Sequence, residues 1–171
     1  MFVIENQSVK TGDKAVNKTV SDPIIRYNKV CKSFGKLVVL RDFDFTVDRN
    51  EIVAIIGPSG SGKTTLVRML MTLEKPTSGT IEIDGELLWH RRVNKKLVPA
   101  GEKHLRRMRK KVGMVFQQFN LFPHMTVLKN CTEAPVHVLG MPLEEAEEKA
   151  RNMLEKVGLE DKIDHYPSQL S

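Results

Sequence analysis

Runs of apolar residues, read against the polar positions between them, divide the chain into a β-rich first part and a helical last part. From Ile24 a short strand reaches Val30, a break follows at Ser33-Phe34-Gly35-Lys36, and a second run extends from Leu37 to Val47. In that run Phe43, Phe45 and Val47 alternate with Asp42, Asp44 and Thr46, the period of a strand with one wet face, so the two strands are expected to pair antiparallel. Ile52-Val53-Ala54-Ile55-Ile56 is continuously apolar, which predicts a strand buried on both faces of a parallel sheet. Leu66, Met69, Leu70 and Leu73 then recur at helical spacing until Pro76-Thr77-Ser78-Gly79 stops them. Thr80-Ile81-Glu82-Ile83 alternates into an Asp84-Gly85 turn, a hairpin signal that continues through Leu87-Leu88-Trp89.

Further on, Leu105, Met108 and Val112 form one apolar edge, which predicts a short surface helix. Val112-Gly113-Met114-Val115-Phe116 suits a central strand ending at the polar pair Gln117-Gln118, where α/β folds place ligand-binding groups. Phe119 to Thr126 is a loop with three exposed apolar residues, Phe119, Leu121 and Phe122, a candidate contact surface. From Pro142 to Val157 a helix carries Leu143, Ala146, Ala150, Met153, Leu154 and Val157 on one stripe, with Glu145–Lys149 and Glu147–Arg151 as i,i+4 pairs and Gly158 as its cap. Residues 1–23 are polar, show no period, and are expected to form a loosely held tail.

A length of 171 residues and 40% apolar content suit one soluble domain with a real core. No apolar run is long enough to cross a membrane and no secretory leader pattern is present, so the expected location is the cytoplasm. Cys31 and Cys131 lie far apart with no metal-type spacing and read as reduced structural thiols, and the five histidines are scattered. The net charge of +6 comes from one segment: residues 91–111 hold ten Lys or Arg against one acid, Glu102. Without interleaved aromatics that segment reads as a solvated face, and no nucleic acid partner is expected.

The chemistry sits between the apolar run and the first helix. Gly57-Pro58-Ser59-Gly60-Ser61-Gly62-Lys63-Thr64 matches a phosphate loop in the strand-to-helix setting that the motif requires. Gly57, Gly60 and Gly62 are expected to let the backbone take positive φ and approach a ligand with no Cβ in the way. The loop N–H groups and the helix N-terminus then form an anion site, Lys63 adds a full charge, Thr64 offers a hydroxyl to magnesium, and Thr65 extends the hydrogen-bonding edge. Phe34, an aromatic at a polar turn, is either a local packing residue or a base platform, and the residues alone leave both open. A guanine nucleotide is not expected, because each Asn-Lys pair lacks the Asp of an Asn-Lys-x-Asp motif.

Three stretches, GPSGSGKTT at 57–65, VFQQFNLFPHMTVLKN at 115–130 and YPSQLS at 166–171, together resemble the ATP-binding subunits of ABC importers for polar amino acids. LLWH at 87–90, the segment 104–127 and TEAPVHVLGMP at 132–142 resemble most the subunits serving ectoine and hydroxyectoine importers. The resemblance implies an α/β fold, a P-loop ABC-type nucleotide-binding domain. Its antiparallel β subdomain and phosphate-loop core would span 24–117, and its Q-loop and helical subdomain 118–171.

It further implies ATP and Mg2+ as cofactors, with Phe34 stacking on adenine, Gly57 to Thr65 on the phosphates, and Gln117 beside Thr64 at the metal. Ser171 would belong to the LSGGQ signature that holds ATP bound to a second, identical chain. The loop at Phe119, Leu121 and Phe122 would meet transmembrane permease subunits on the inner face of the membrane, with a solute-binding protein engaged indirectly. The sequence stops inside that signature, so the Walker B aspartate, catalytic glutamate and switch histidine of the family are missing from it. The expectation is a truncated ATPase that binds nucleotide without turnover; no catalytic residue is assigned.

Overall fold

A computed structural model describes residues 22–170. The chain divides into two compact units, Met1–Gly113 and Met114–Ser171. Most of the expected tail, residues 1–21, and Ser171 lie outside the described residues.

The first unit is built on the hairpin of β1 (Ile25–Phe34) and β2 (Leu37–Val47), which pair antiparallel from Ile25↔Val47 to Phe34↔Leu37. Gly35 at φ 56° makes the turn. On the other side of β1 lies β3 (Ser78–Ile83), followed by the two-residue β4 (Glu86–Leu87), giving the sheet order β2-β1-β3-β4. Phe43 and Phe45 turn inward as their alternation predicts, and both rings lie against Tyr27, with the Phe43 ring edge-on at 5.7 Å. The Asp84-Gly85 turn forms as expected, both residues at positive φ, but β4 ends at Leu87 and the next two residues, Leu88 and Trp89, are buried in the core.

α1 (Lys63–Leu70) packs on this sheet through Leu66 and Met69. Two side chains from the sheet side hold its carbonyls: the Tyr27 hydroxyl donates to Leu66 O at 2.9 Å, and Trp89 Nε1 donates to Met69 O at 3.1 Å. Burial raises the Tyr27 pKa, so its hydroxyl keeps its proton. The helix is shorter than its apolar spacing suggests, and Leu73 is exposed beyond its end.

One contact fixes how β1 and β3 meet. Lys29 takes φ 46° where the β1–β2 register shifts, and its N–H is satisfied by Asp44 Oδ1 at 2.7 Å. Gly79, at φ 83°, lies against that same residue, and a Cβ there would stand 2.3 Å from Lys29 O.

The basic segment contains an element the periodicity did not disclose, a hairpin of β5 (His90–Val93) and β6 (Lys96–Pro99) closed by Asn94 and Lys95, both at positive φ. α2 (Glu102–Arg109) follows where the apolar edge predicted it, with Met108 fully buried. Arg107 and Lys111 both bond Glu86, Lys111 Nζ at 2.6 Å. They hold its carboxyl down to about 2.

Two expected strands do not form. Ile52 is 95% exposed and Val115 is 87% exposed, and neither 52–56 nor 112–116 carries more than an isolated bridge at Ala54. A parallel-sheet strand exists only with neighbours to receive its hydrogen bonds, and neither run is a strand of the sheets of the described residues.

In the second unit α3 (Val127–His137) packs against α4 (Leu143–Lys156) through Leu128, Thr132, Ala146, Ala150 and Leu154. α3 was not predicted, although Thr126 caps it by accepting from Lys129 N at 3.3 Å. Its first amides are satisfied by the end of the chain, Val127 N donating to His165 O and Leu128 N to Ile163 O. α4 forms as expected, with Glu145 paired to Lys149 at 2.6 Å and Gly158 at φ 68°, but Leu143, Met153 and Val157 of the predicted stripe are exposed.

Gly79→Ala is expected to destabilise the first unit by more than about 2 kcal/mol, since it combines a left-handed φ with a backbone collision. Urea unfolding measures this, and a midpoint matching wild type would refute it. Because Glu86 titrates lower folded than its ordinary 4.5, its ion pairs stabilise fully above that value and are lost as pH falls toward 2. Stability should therefore drop between about pH 5 and about pH 2, and less steeply in Glu86→Gln; urea midpoints across that range with equal slopes would contradict it.

Candidate functional site

The loop from Gly57 to Gly62 runs directly into α1. Ser61 N donates to Pro58 O at 3.3 Å, closing a turn, and Gly60 and Gly62 take φ 81° and 89°. Gly57 departs from expectation because its φ is not positive; instead a Cβ there would meet Ser61 Oγ at 2.9 Å. Gly62 is the N-cap of α1 and is wedged against β2, where an added Cβ would lie 3.0 Å from Val39 Cγ1 and 3.2 Å from Leu40 Cδ2.

A helix start normally finds acceptors for its first amides in a capping side chain. Here the cap is glycine, no side chain caps the helix, and its first turn holds no acid. The N–H groups at the start of α1 thus have no capping side chain at the positive end of the helix dipole, an arrangement able to receive an anion. Lys63 Nζ folds back over the loop, donating to Gly57 O and Pro58 O at 2.7 Å each and reaching Ser61 Oγ at 3.4 Å.

Thr64 is exposed beside Lys63. Among the described residues no group of three or more His, Cys, Asp or Glu could hold a metal; the Thr64 hydroxyl could serve a magnesium ion, which prefers few protein ligands.

Phe34 is the last residue of β1 rather than part of the turn, and it is 45% exposed. Its place relative to the loop follows from the register: Leu40, which touches Gly62, pairs with Lys32, and Phe34 stands two residues along the same strand, about 7 Å. Lys32, which the sequence reading passed over, is buried, its ammonium 4.5 Å over the centre of the Phe34 ring. The signal for it was spacing, since residues i and i+2 of a strand share a face.

Gln117 lies in a turn of the second unit, not at the end of a strand. Phe119, Leu121 and Phe122 are exposed as expected. Their loop is held by Asn130, which accepts from Phe122 N at 2.8 Å and donates to Phe122 O, Met125 O and Thr126 O.

A family model described as ABC transporter matches residues 40–171. The chain belongs to the ABC transporter family. This ABC transporter chain is 56% identical over 152 residues to the probable amino-acid ABC transporter ATP-binding protein y4tH of Sinorhizobium fredii, with 89% of this chain and 59% of the relative covered. It is 46% identical over 150 residues to the glutamine transport ATP-binding protein GlnQ of Geobacillus stearothermophilus, covering 86% and 57%. The chain thus spans somewhat under three-fifths of the length of these curated relatives. Its fold is that of an ABC-type nucleotide-binding domain, in part: a dimeric post-hydrolysis structure of the ATP-binding cassette MJ0796 bound to ADP and Pi superposes with a TM-score of 0.66 at 31% identity, over 86% of this chain and 63% of that one.

Proposed function

We propose that residues 24–171 form the ATP-binding part of the subunit that energises an importer for polar amino acids. The observation that carries this reading is the start of α1, which has no capping side chain and no acid in its first turn, with the Lys63 ammonium folded over the loop before it. A triphosphate supplies what that arrangement lacks, anionic acceptors for the first amides and for the ammonium.

In this reading Gly57, Pro58, Ser59, Gly60, Ser61, Gly62, Lys63, Thr64 and Thr65 wrap the phosphates and Phe34 stacks on the adenine. Thr64 and Gln117 attend the magnesium ion, which when bound neutralises charge on the β- and γ-phosphates. Residues 24–117 act as the β subdomain and phosphate-loop core, and 118–171 as the Q-loop and helical subdomain. Leu170 and Ser171 are the first two residues of the signature, and Ser171 serves the ATP bound to a second, identical chain.

The exposed apolar loop at Phe119, Leu121 and Phe122, stiffened by Asn130, suits a permease contact on the cytoplasmic face of the membrane, with a solute-binding protein acting through that permease. Among the described residues no helix is long and apolar enough to cross a membrane. Within the polar amino-acid class, the segments 87–90, 104–127 and 132–142 favour ectoine or hydroxyectoine as the solute.

The 171 residues contain no apolar run ending in Asp-Glu, so nothing within them orients an attacking water while an aspartate holds the metal in register. This polypeptide is therefore expected to bind MgATP without turning it over. Lys63→Ala should weaken MgATP binding by at least tenfold, the loss of about one charge-assisted bond. Titration of a fluorescent ATP analogue checks this, with phosphate release followed alongside; equal affinities, or turnover that vanishes in the variant, would each overturn part of the reading. In the assembled transporter Phe122→Asp should reduce co-purification with the permease, and uptake of labelled ectoine should exceed that of glutamine. Undiminished recovery or the reverse preference counts against those two assignments.

A further inference from the structure

Lys32 is a charged residue in a place where charge is costly. It lies near the end of β1, 8% exposed, and burial of an ammonium is tolerated only when it is paired and hydrogen-bonded. Both requirements are met from one direction: Glu74 Oε2 stands 2.9 Å from Nζ and Lys75 O accepts from it at 2.8 Å. The ammonium also lies 4.5 Å over the Phe34 ring, so the side chain spans from the segment after α1 to the aromatic at the end of β1.

The backbone on both sides of Lys32 is tied to that same segment. Thr77 N donates to Cys31 O at 2.8 Å, and Ser33 N donates to Thr77 Oγ1 at 3.0 Å. Strand residues 31–33 are therefore fixed against 74–77, and the ammonium has little freedom to leave the ring.

We propose that Lys32 is a positioning residue for a bound purine nucleoside triphosphate, holding the Phe34 ring by one face so that the other face receives the base. This rests on the nucleotide reading above and names how the base end of that site is built. The cation acts in two ways. It restricts the rotation of a ring that is otherwise 45% exposed, so less freedom is lost when a base stacks on it. It also draws π-electron density toward its own face, which leaves the opposite face better suited to an electron-rich purine. The Glu74 carboxylate, held below the usual carboxylate range first by its hydrogen bond from Lys32, keeps the ammonium in place at neutral pH.

The test separates the base end of the site from the phosphate end. Calorimetric titration of the 171-residue chain with MgATP and with magnesium tripolyphosphate, which has no base, is carried out on wild type, Lys32→Met, Lys32→Arg, Phe34→Ala and the Lys32→Met, Phe34→Ala double variant. Lys32→Met should weaken MgATP about three- to tenfold while leaving tripolyphosphate unchanged. Lys32→Arg should restore most of the loss, and the double variant should bind MgATP no more weakly than Phe34→Ala alone.

Glu74→Gln, which loosens the ammonium without removing it, should give a smaller loss confined to MgATP, and serves if Lys32→Met does not fold. A residue that merely stabilises the sheet would lower the melting temperature without changing the ratio of the two affinities. An unchanged ratio in Lys32→Met and Glu74→Gln, or a full further loss in the double variant, overturns the proposal while the nucleotide reading stands. Failure of the wild-type chain to bind MgATP overturns that reading and this proposal with it.

Discussion

The position of α1 on the antiparallel sheet is the constraint on which the rest of the first unit depends. Eight residues are too few to hold a helix by local propensity, so tertiary contacts must fix it. Leu66 and Met69 supply the apolar contact, and the Tyr27 hydroxyl and the Trp89 indole each hold one carbonyl. Met69 O lies in the last turn, where Thr72 N donates to it at 3.3 Å and the Trp89 indole adds a second bond from the sheet side. Because the phosphate loop is the N-terminal continuation of α1, whatever fixes the helix aims the loop.

The irregularities of the sheet serve the same end. Lys29 and Asp42 take positive φ at register shifts between β1 and β2, and Gly79 lets β3 approach Lys29 where a side chain cannot fit. The hairpin bent in this way meets the chain at both ends of α1. Leu40 and Val39 touch Gly62 at the helix start, while Lys32, paired with Leu40, reaches Glu74 and Lys75 beyond the helix end. Left-handed backbone at Lys29 and Asp42, with Gly79 giving β3 room to approach, thus lets one hairpin set both the entry to the helix and the departure from it.

This arrangement accounts for what could and could not be read from the sequence. The β1–β2 hairpin, the Asp84-Gly85 turn, α1, α2 and α4 were legible because alternation, turn residues and helical spacing are local signals. The runs 52–56 and 112–116 were misread because five apolar residues report a preference for burial, whereas a strand also needs a neighbour, which no local pattern reports. α3 was missed although Thr126 is a good cap, since its polar residues and the internal Pro135 blur the helical stripe. The β5–β6 hairpin was hidden by its lysines and arginines, although Asn94 and Lys95 are the residues of its turn. Of the site, the loop was legible as a motif; Lys32 was not, because composition assigns a lysine to the surface and only its pairing shows why it is inside.

Preorganisation links these features to the chemistry proposed. The Lys63 ammonium is already gathered over the loop by two neutral carbonyls at 2.7 Å, and Gly60 and Gly62 already hold the backbone in conformations that other residues resist. Exchanging a neutral carbonyl for a phosphate oxygen turns a hydrogen bond with one ionised partner into one with two, and it asks only for rotation about the lysine's own side-chain bonds. The helix beneath need not move, since Tyr27 and Trp89 hold it from the other side. Binding energy that would otherwise go into ordering a loop is then left for the contacts themselves, which is the condition under which a short glycine-rich turn can grip an anion in water.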